Sequence, residues 1–205
     1  MKYLLKIHHF LLPKDHDIGY SAYVVLLFQG IFFLNFYFKP VHGLELVIFI
    51  VGILTFLVCY FRAYWSSGKT LYGYIIAICL IGSAMAEINW GASVFFVYAA
   101  AFACGFSSRK KAFTTLAAII LYIIVFTLLT NKPGYFWVPA IFFSFVIGAL
   151  NIHQAEVALK NKALKQSQEE IQLLAQTAER ERISRDLHDL LGHSLSVITL
   201  KAELA

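Results

Sequence analysis

The residues whose types could do chemistry sit together in one run, Glu181-Arg182-Ile183-Ser184-Arg185-Asp186-Leu187-His188-Asp189-Leu190-Leu191-Gly192-His193. On a helix of roughly 100° per residue, Ile183, Leu187, Leu190, Leu191, Ser194, Val197, Ile198 and Ala205 gather on one broad apolar face. Lys201 falls on that face too, and nothing else in the sequence explains it. His188 points about 120° away from the centre of the stripe by the same periodicity, so its ring belongs at the boundary or in solvent rather than in a core. A neutral imidazole near pH 7 has a nucleophilic nitrogen without needing a strong base. Asp189 follows immediately, an acceptor that could hold the tautomer leaving Nε2 free to attack, although adjacent helical side chains splay apart. Arg185, Asp189 and His193, spaced at i, i+4 and i+8, line a second polar stripe, which helix-surface ion pairing explains equally well if taken alone.

The run from Glu181 to His193 resembles the H-box of the dimerisation and phosphoacceptor domain in sensor histidine kinases of the NarX/DesK type. The arrangement ahead of it, several short apolar spans feeding a coiled helix, is similar in layout to DesK-like membrane sensors. The resemblance implies that His188 accepts the γ-phosphoryl of ATP and passes it to an aspartate of a cytoplasmic response regulator. Phosphoryl transfer asks mainly for in-line positioning and charge stabilisation. It further implies a homodimer, use of ATP and Mg2+, and a phosphatase role for Asp189 and His193, with His193 orienting the attacking water. A working kinase of this kind also needs a second helix to complete a four-helix dimer, and an ATP-binding domain with asparagine- and glycine-rich boxes. No such boxes, P-loop or kinase Gly-rich loop occur in these residues. The expectation is a sensor-and-acceptor portion, truncated or incomplete, and inactive without an ATP-binding domain.

Positioning such a helix falls to the rest of the chain, and its composition is that of a membrane protein. Of 205 residues, 60% are hydrophobic and 14% charged, with 19 Phe and 11 Tyr, whereas a soluble domain carries roughly 25% charged residues. The mean hydropathy is +0.70. The net charge of +5 does not indicate a nucleic-acid surface, because the basic residues lie in short clusters between apolar runs, as in chains that fix their topology in a bilayer. Cys59, Cys79 and Cys104 each lie inside an apolar run without metal-ligand or disulfide spacing.

Six apolar segments are expected to span: Ile18–Phe38, Leu44–Tyr64, Leu71–Glu87, Gly91–Phe106, Ala112–Thr130 and Phe136–Ile152. Residues 1–17, with His8, His9, Pro13, Lys14, Asp15 and Asp17, are too polar for a signal-peptide core and read as a cytoplasmic N-terminus. One set of loops holds eight basic residues (Lys2, Lys6, Lys14, Arg62, Lys69, Arg109, Lys110, Lys111), the other two (Lys39, Lys132), which places both termini inside the cell. The polar residues Gln29, Asn35, Glu45 and Glu87 raise a transport reading. Glu45 and Glu87 fall at segment ends that reach water, and no internal repeat or pair of broken helices marks a substrate site.

From residue 153 the composition changes. Gln154 to Glu181 contains no Gly, Pro or aromatic residue and is rich in strong helix formers. Val157, Leu164, Ile171 and Ala178 recur every seven residues as a coiled-coil column, but the companion column is Lys160, Ser167, Leu174 and Glu181, which makes a weak zipper. The expected fold is therefore an all-α membrane protein. It has a sensor of about six spans over 18–152, a coiled-coil linker helix over 153–180, and the start of a dimerisation and phosphoacceptor domain over 181–205. The expected partners are a second copy, a response regulator and membrane lipids. A reading from another class is a non-enzymatic membrane protein whose coiled tail dimerises or recruits a partner.

The basic-residue bias makes a topology prediction. Single cysteines, placed in a background lacking the three native ones, should be labelled from outside the cell in Lys39–Gly43 and Asn131–Gly134. Those in Ser107–Lys111 should be reached only from the cytoplasm. External labelling of Ser107–Lys111 would require an odd number of preceding spans and overturn the segmentation.

Overall fold

A computed structural model describes residues 11–13, 21–30, 32–33, 43–106 and 108–203, with backbone alone at residues 21, 189–190 and 192–203. Among the described residues the regular elements are all helices. The chain divides into two units, Met1–Glu156 and Val157–Ala205.

In the first unit, α1 (Ser21–Val25) tightens into a 3-10 turn at Leu26–Phe28, followed by α2 (Leu44–Tyr64) and α3 (Lys69–Met85). A 3-10 turn at Trp90–Ala92 leads into α4 (Ser93–Ala101), which ends in another at Phe102–Gly105. Then come α5 (Arg109–Leu129) and α6 (Gly134–Glu203). Four of the expected segments therefore coincide with helical stretches to within a few residues, and the sixth, Phe136–Ile152, forms the front of α6. The first, Ile18–Phe38, lies largely outside the described residues. Among the described residues three helices are long and apolar enough to cross a membrane: Leu44–Tyr64, Arg109–Leu129 and the apolar front of Gly134–His188. Lys69–Met85 and Trp90–Gly105 are apolar but shorter.

Local chemistry explains the boundaries. Gly43 (φ 60°, ψ −127°) and Gly68 (φ 58°, ψ −126°) precede α2 and α3 in a backbone region that side-chain-bearing residues rarely enter. At the end of α5, Asn131 adopts a left-handed φ of 50°. The Lys132 N–H then reaches back to the Thr127 carbonyl at 3.1 Å, the six-to-one bond of a Schellman motif. Pro133 follows, so the helix cannot continue. Asn89 caps the next turn, its side-chain oxygen accepting the Gly91 N–H at 2.7 Å.

The core is built round α4. Its sequence SVFFVYAAA is apolar on every side, and all of Val94 to Ala100 is buried. A helix that is hydrophobic all round requires neighbours all round. It lies against α3 and α5, while α3 also packs on α2. Aromatic rings fill the space between α2 and α4: Phe56 meets Phe95 at 4.9 Å and Tyr98 at 5.0 Å, and Tyr60 meets Phe102 at 5.5 Å. Tilted and edge-on arrangements of this kind suit the ring quadrupoles.

The α3–α4 contact depends on one missing side chain. A Cβ at Gly82 would lie 2.9 Å from the Cβ of Phe95, an atom fixed to its own helix and unable to swing away. Gly73, on the same helix, has nothing within 4 Å of such an atom. Gly82→Ala should therefore separate α3 from α4 and cost about 1–3 kcal/mol, the usual range for overpacking. Gly73→Ala should be neutral or stabilising through helix propensity. Thermal unfolding of the two variants in the same detergent measures the contrast. Equal melting temperatures would mean that the helices do not approach closely at Gly82.

Candidate functional site

In the second unit the chain stays helical from Val157 through Glu203. A run without Gly or Pro up to Glu181, made largely of Ala, Glu, Lys, Gln and Leu, allows this. His188 lies on this helix with its side chain exposed, and Ser184, Arg185 and Asp186 beside it are exposed as well. Ile183, Leu187 and Leu191 are also exposed, so a single chain leaves its apolar stripe uncovered. The same holds for Val157, Leu164 and Ile171 of the upstream column, and for Leu174. At about 100° per residue, the upstream column and the Ile183/Leu187/Leu191 stripe fall on nearly opposite sides of the helix. Between them Arg182 pairs with Glu179 at 2.7 Å, an exposed i, i+3 contact of the kind that contributes about 0.5 kcal/mol or less. Asp189 and His193 are in the helix, but their side chains lie outside what the structure describes. The expected contacts of Asp189 with His188, and of His193 with a water, belong with those side chains.

The first unit gathers polar groups that sequence spacing left unconnected. Glu87 stands at a helix end with its side chain 64% exposed and pairs at 2.8 Å with Lys132, itself only 12% exposed. Lys132 also donates to the Ala86 carbonyl at 3.1 Å, so the loop after α3 is tied to the turn before α6. Near the other ends of these helices, Arg109 pairs with Glu156 at 3.4 Å and lies 5.7 Å over the Phe113 ring. Asn151 donates to the Ala101 carbonyl at 3.3 Å. Asn89 donates from Nδ2 to the Phe32 carbonyl at 2.8 Å. Tyr60 donates to the Ala22 carbonyl at 2.8 Å, and Tyr98 to that of Val25 at 3.0 Å. Apart from Arg109 over Phe113, four residues on, no sequence signal announces these pairs, since their members stand 38 to 73 residues apart.

Among the polar candidates inside the apolar segments, Gln29 is buried with neither amide atom partnered among the described residues. Asn35 lies outside them, and Glu45 is exposed in the first turn of α2. No group of three or more His, Cys, Asp or Glu among the described residues could hold a metal ion. What the helix offers chemically is an acceptor imidazole open to a partner.

Residues 179–205 match a protein family described as histidine kinase. The chain is 27% identical over 203 residues to the sensor histidine kinase YvfT of Bacillus subtilis, covering 94% of this chain and 53% of that protein. It is 29% identical over 210 residues to the sensor histidine kinase DesK of the same organism, covering 97% of this chain and 55% of that protein. The chain thus spans about half the length of the curated relatives it matches. No solved structure matches it. Together the family match and the two relatives support a sensor histidine kinase of the NarX/DesK type, in agreement with the resemblance carried by Glu181 to His193.

Proposed function

We propose that this chain is the membrane sensor and phosphoacceptor portion of a two-component sensor histidine kinase, with His188 as the acceptor. The observation that carries this reading is an exposed histidine on an uninterrupted helix, inside the segment that matches the histidine kinase family. In its neutral form the His188 Nε2 attacks the γ-phosphorus of ATP. The N–P bond forms as the bond to the bridging oxygen breaks, and ADP leaves. A carboxylate oxygen of a response-regulator aspartate then takes the phosphoryl group, and the imidazole is restored. As the resemblance to sensor histidine kinases implies, an ATP-binding domain presents the nucleotide and its Mg2+ to this histidine. Asp189 orients the imidazole, and His193 positions water for the reverse, phosphatase reaction. The sensor crosses the cell membrane six times with both termini in the cytoplasm, and the chain works as a homodimer.

When an ATP-binding domain is supplied by fusion or in trans, radiolabel from the γ-phosphate should enter the protein at His188 alone. His188→Gln should abolish labelling and leave membrane insertion intact. His193→Ala should keep the label but slow loss of phosphate from the regulator. Label persisting in His188→Gln would move the acceptor elsewhere. A wild-type protein that dimerises but never labels would favour a non-enzymatic tail that recruits a partner.

The signal we assign to this sensor is a property of the bilayer. The sixth segment, Phe136–Ile152, is about 17 residues or roughly 25 Å of helix, shorter than a hydrocarbon core of about 30 Å. Short spans answer thicker bilayers by thinning lipid, oligomerising or shifting their ends. α6 continues from this segment through the weak zipper to His188 without a Gly or Pro breaker before Gly192. Because the upstream column makes only a weak zipper, a small displacement or rotation of this segment passes along the helix to His188. Replacing Lys160 and Ser167 with Leu strengthens the companion column. With the kinase domain present, that variant should hold one output across vesicles of different acyl length, while the parent's output changes. An identical response of variant and parent would reduce the coil to a passive spacer.

A further inference from the structure

A recess of about 350 Å³ opens in the first unit between Phe28, the start of α4 and the first turns of α6. Its walls are apolar: Val94 and Val97 come from α4, and Pro139, Phe143 and Ile147, four residues apart, form one strip of α6. At one end stand Trp90 and Tyr135, their rings 4.6 Å apart and 55% and 56% exposed. Neither the indole N–H nor the phenol O–H finds a partner among the described residues, and the Ser93 hydroxyl, which also lines the recess, is likewise unpartnered there. Pro139 has no N–H to give the Tyr135 carbonyl.

We infer that this recess is a binding site for one acyl chain of a membrane phospholipid, with the lipid's ester carbonyls accepting hydrogen bonds from Trp90 and Tyr135. Water is a poor occupant, because a buried water needs two to four polar partners and the inner walls offer almost none. Left empty, the wall atoms would lose their dispersion contacts on one side. A helix or peptide is too wide for a slot of this volume, whereas a single hydrocarbon chain is apolar along its length and polar only at its ester end. That matches a recess with hydrogen-bond donors at one end and hydrocarbon throughout. Trp and Tyr are also the residues that settle at the level of lipid headgroups. The inference rests on the reading of these helices as membrane-embedded and gives that sensor a lipid site reaching the first four turns of α6.

The test uses the full chain in phosphatidylcholine vesicles doped with phosphatidylcholine bearing a diazirine in mid-chain, with crosslinked peptides mapped by mass spectrometry. The expected result is crosslinking at Val94–Val97 and Pro139–Ile147, together with crosslinks at Leu121 and Leu128, which are exposed on α5. Val97→Phe, and separately Ile147→Phe, fills the slot; each should lose the recess crosslinks and keep those on α5. Circular dichroism confirms that each variant is folded, and the second guards against a misfolded first. Recess crosslinks that survive both substitutions, or that never form while α5 is labelled, would overturn the site. Absence of crosslinks at α5 as well would instead strike at the membrane reading on which the site depends.

Discussion

The constraint on which the first unit depends is that backbone and side-chain polar groups have no water to turn to inside a bilayer. α4 meets it in the simplest way, as a helix of Val, Phe, Tyr and Ala whose backbone bonds are internal and whose sides are all covered. Being only nine residues long, it relies on 3-10 turns at both ends to extend it. α2, α3 and α5 are single long or nearly long helices arranged so that it stays covered. The close approach at Gly82, and a second at Gly148, where a Cβ would lie 3.2 Å from the Ala100 carbonyl oxygen, allow this density. In lipid, where apolar side chains gain little by leaving the solvent, such small-residue contacts are what hold helices together.

The first apolar segment meets the same constraint differently. Between Ser21 and Phe28 the helix changes from α to 3-10, where the hydrogen-bond geometry is poorer. Three side chains from elsewhere supply donors: Tyr60 to Ala22, Tyr98 to Val25 and Asn89 to Phe32. These residues are polar in a sequence count but structural in effect. Gln29 and Ser144 are the exceptions, buried with polar atoms unpartnered among the described residues. The apolar recess lies beside Pro139, which stands inside α6 and has no N–H for the helix's hydrogen-bond ladder.

The second unit obeys the opposite rule. Its helix is held by its own backbone bonds and by residues with high helix propensity, and its apolar columns are left uncovered. A single exposed helix of this kind is marginal in water, since most helical stability in proteins comes from tertiary packing. Its two apolar faces lie nearly opposite, so a straight helix cannot seat both on one partner, while His188 itself needs only to remain accessible.

The sequence by itself determined the class of the protein and the boundaries of most helices, because continuous apolar runs and Gly, Pro and Asn punctuation are local signals. Leu44–Tyr64 was legible to the residue, and α5 began three residues before its apolar run because Arg109, Lys110 and Lys111 continue the helix without breaking it. The placement of His188 off the apolar stripe follows from the 3.6-residue period, which alone sets which way a helical side chain points, whereas on the single helix Ile183, Leu187 and Leu191 are exposed as well. Only the tertiary structure decided which polar residues answer which carbonyls and that Lys132 ties the turn before α6 to Glu87 and Ala86. It also decided that α4 sits at the centre and that a recess remains beside it. Those outcomes depend on residues far apart in the chain meeting at fixed distances, and no periodicity within a single helix records which other helix it will touch.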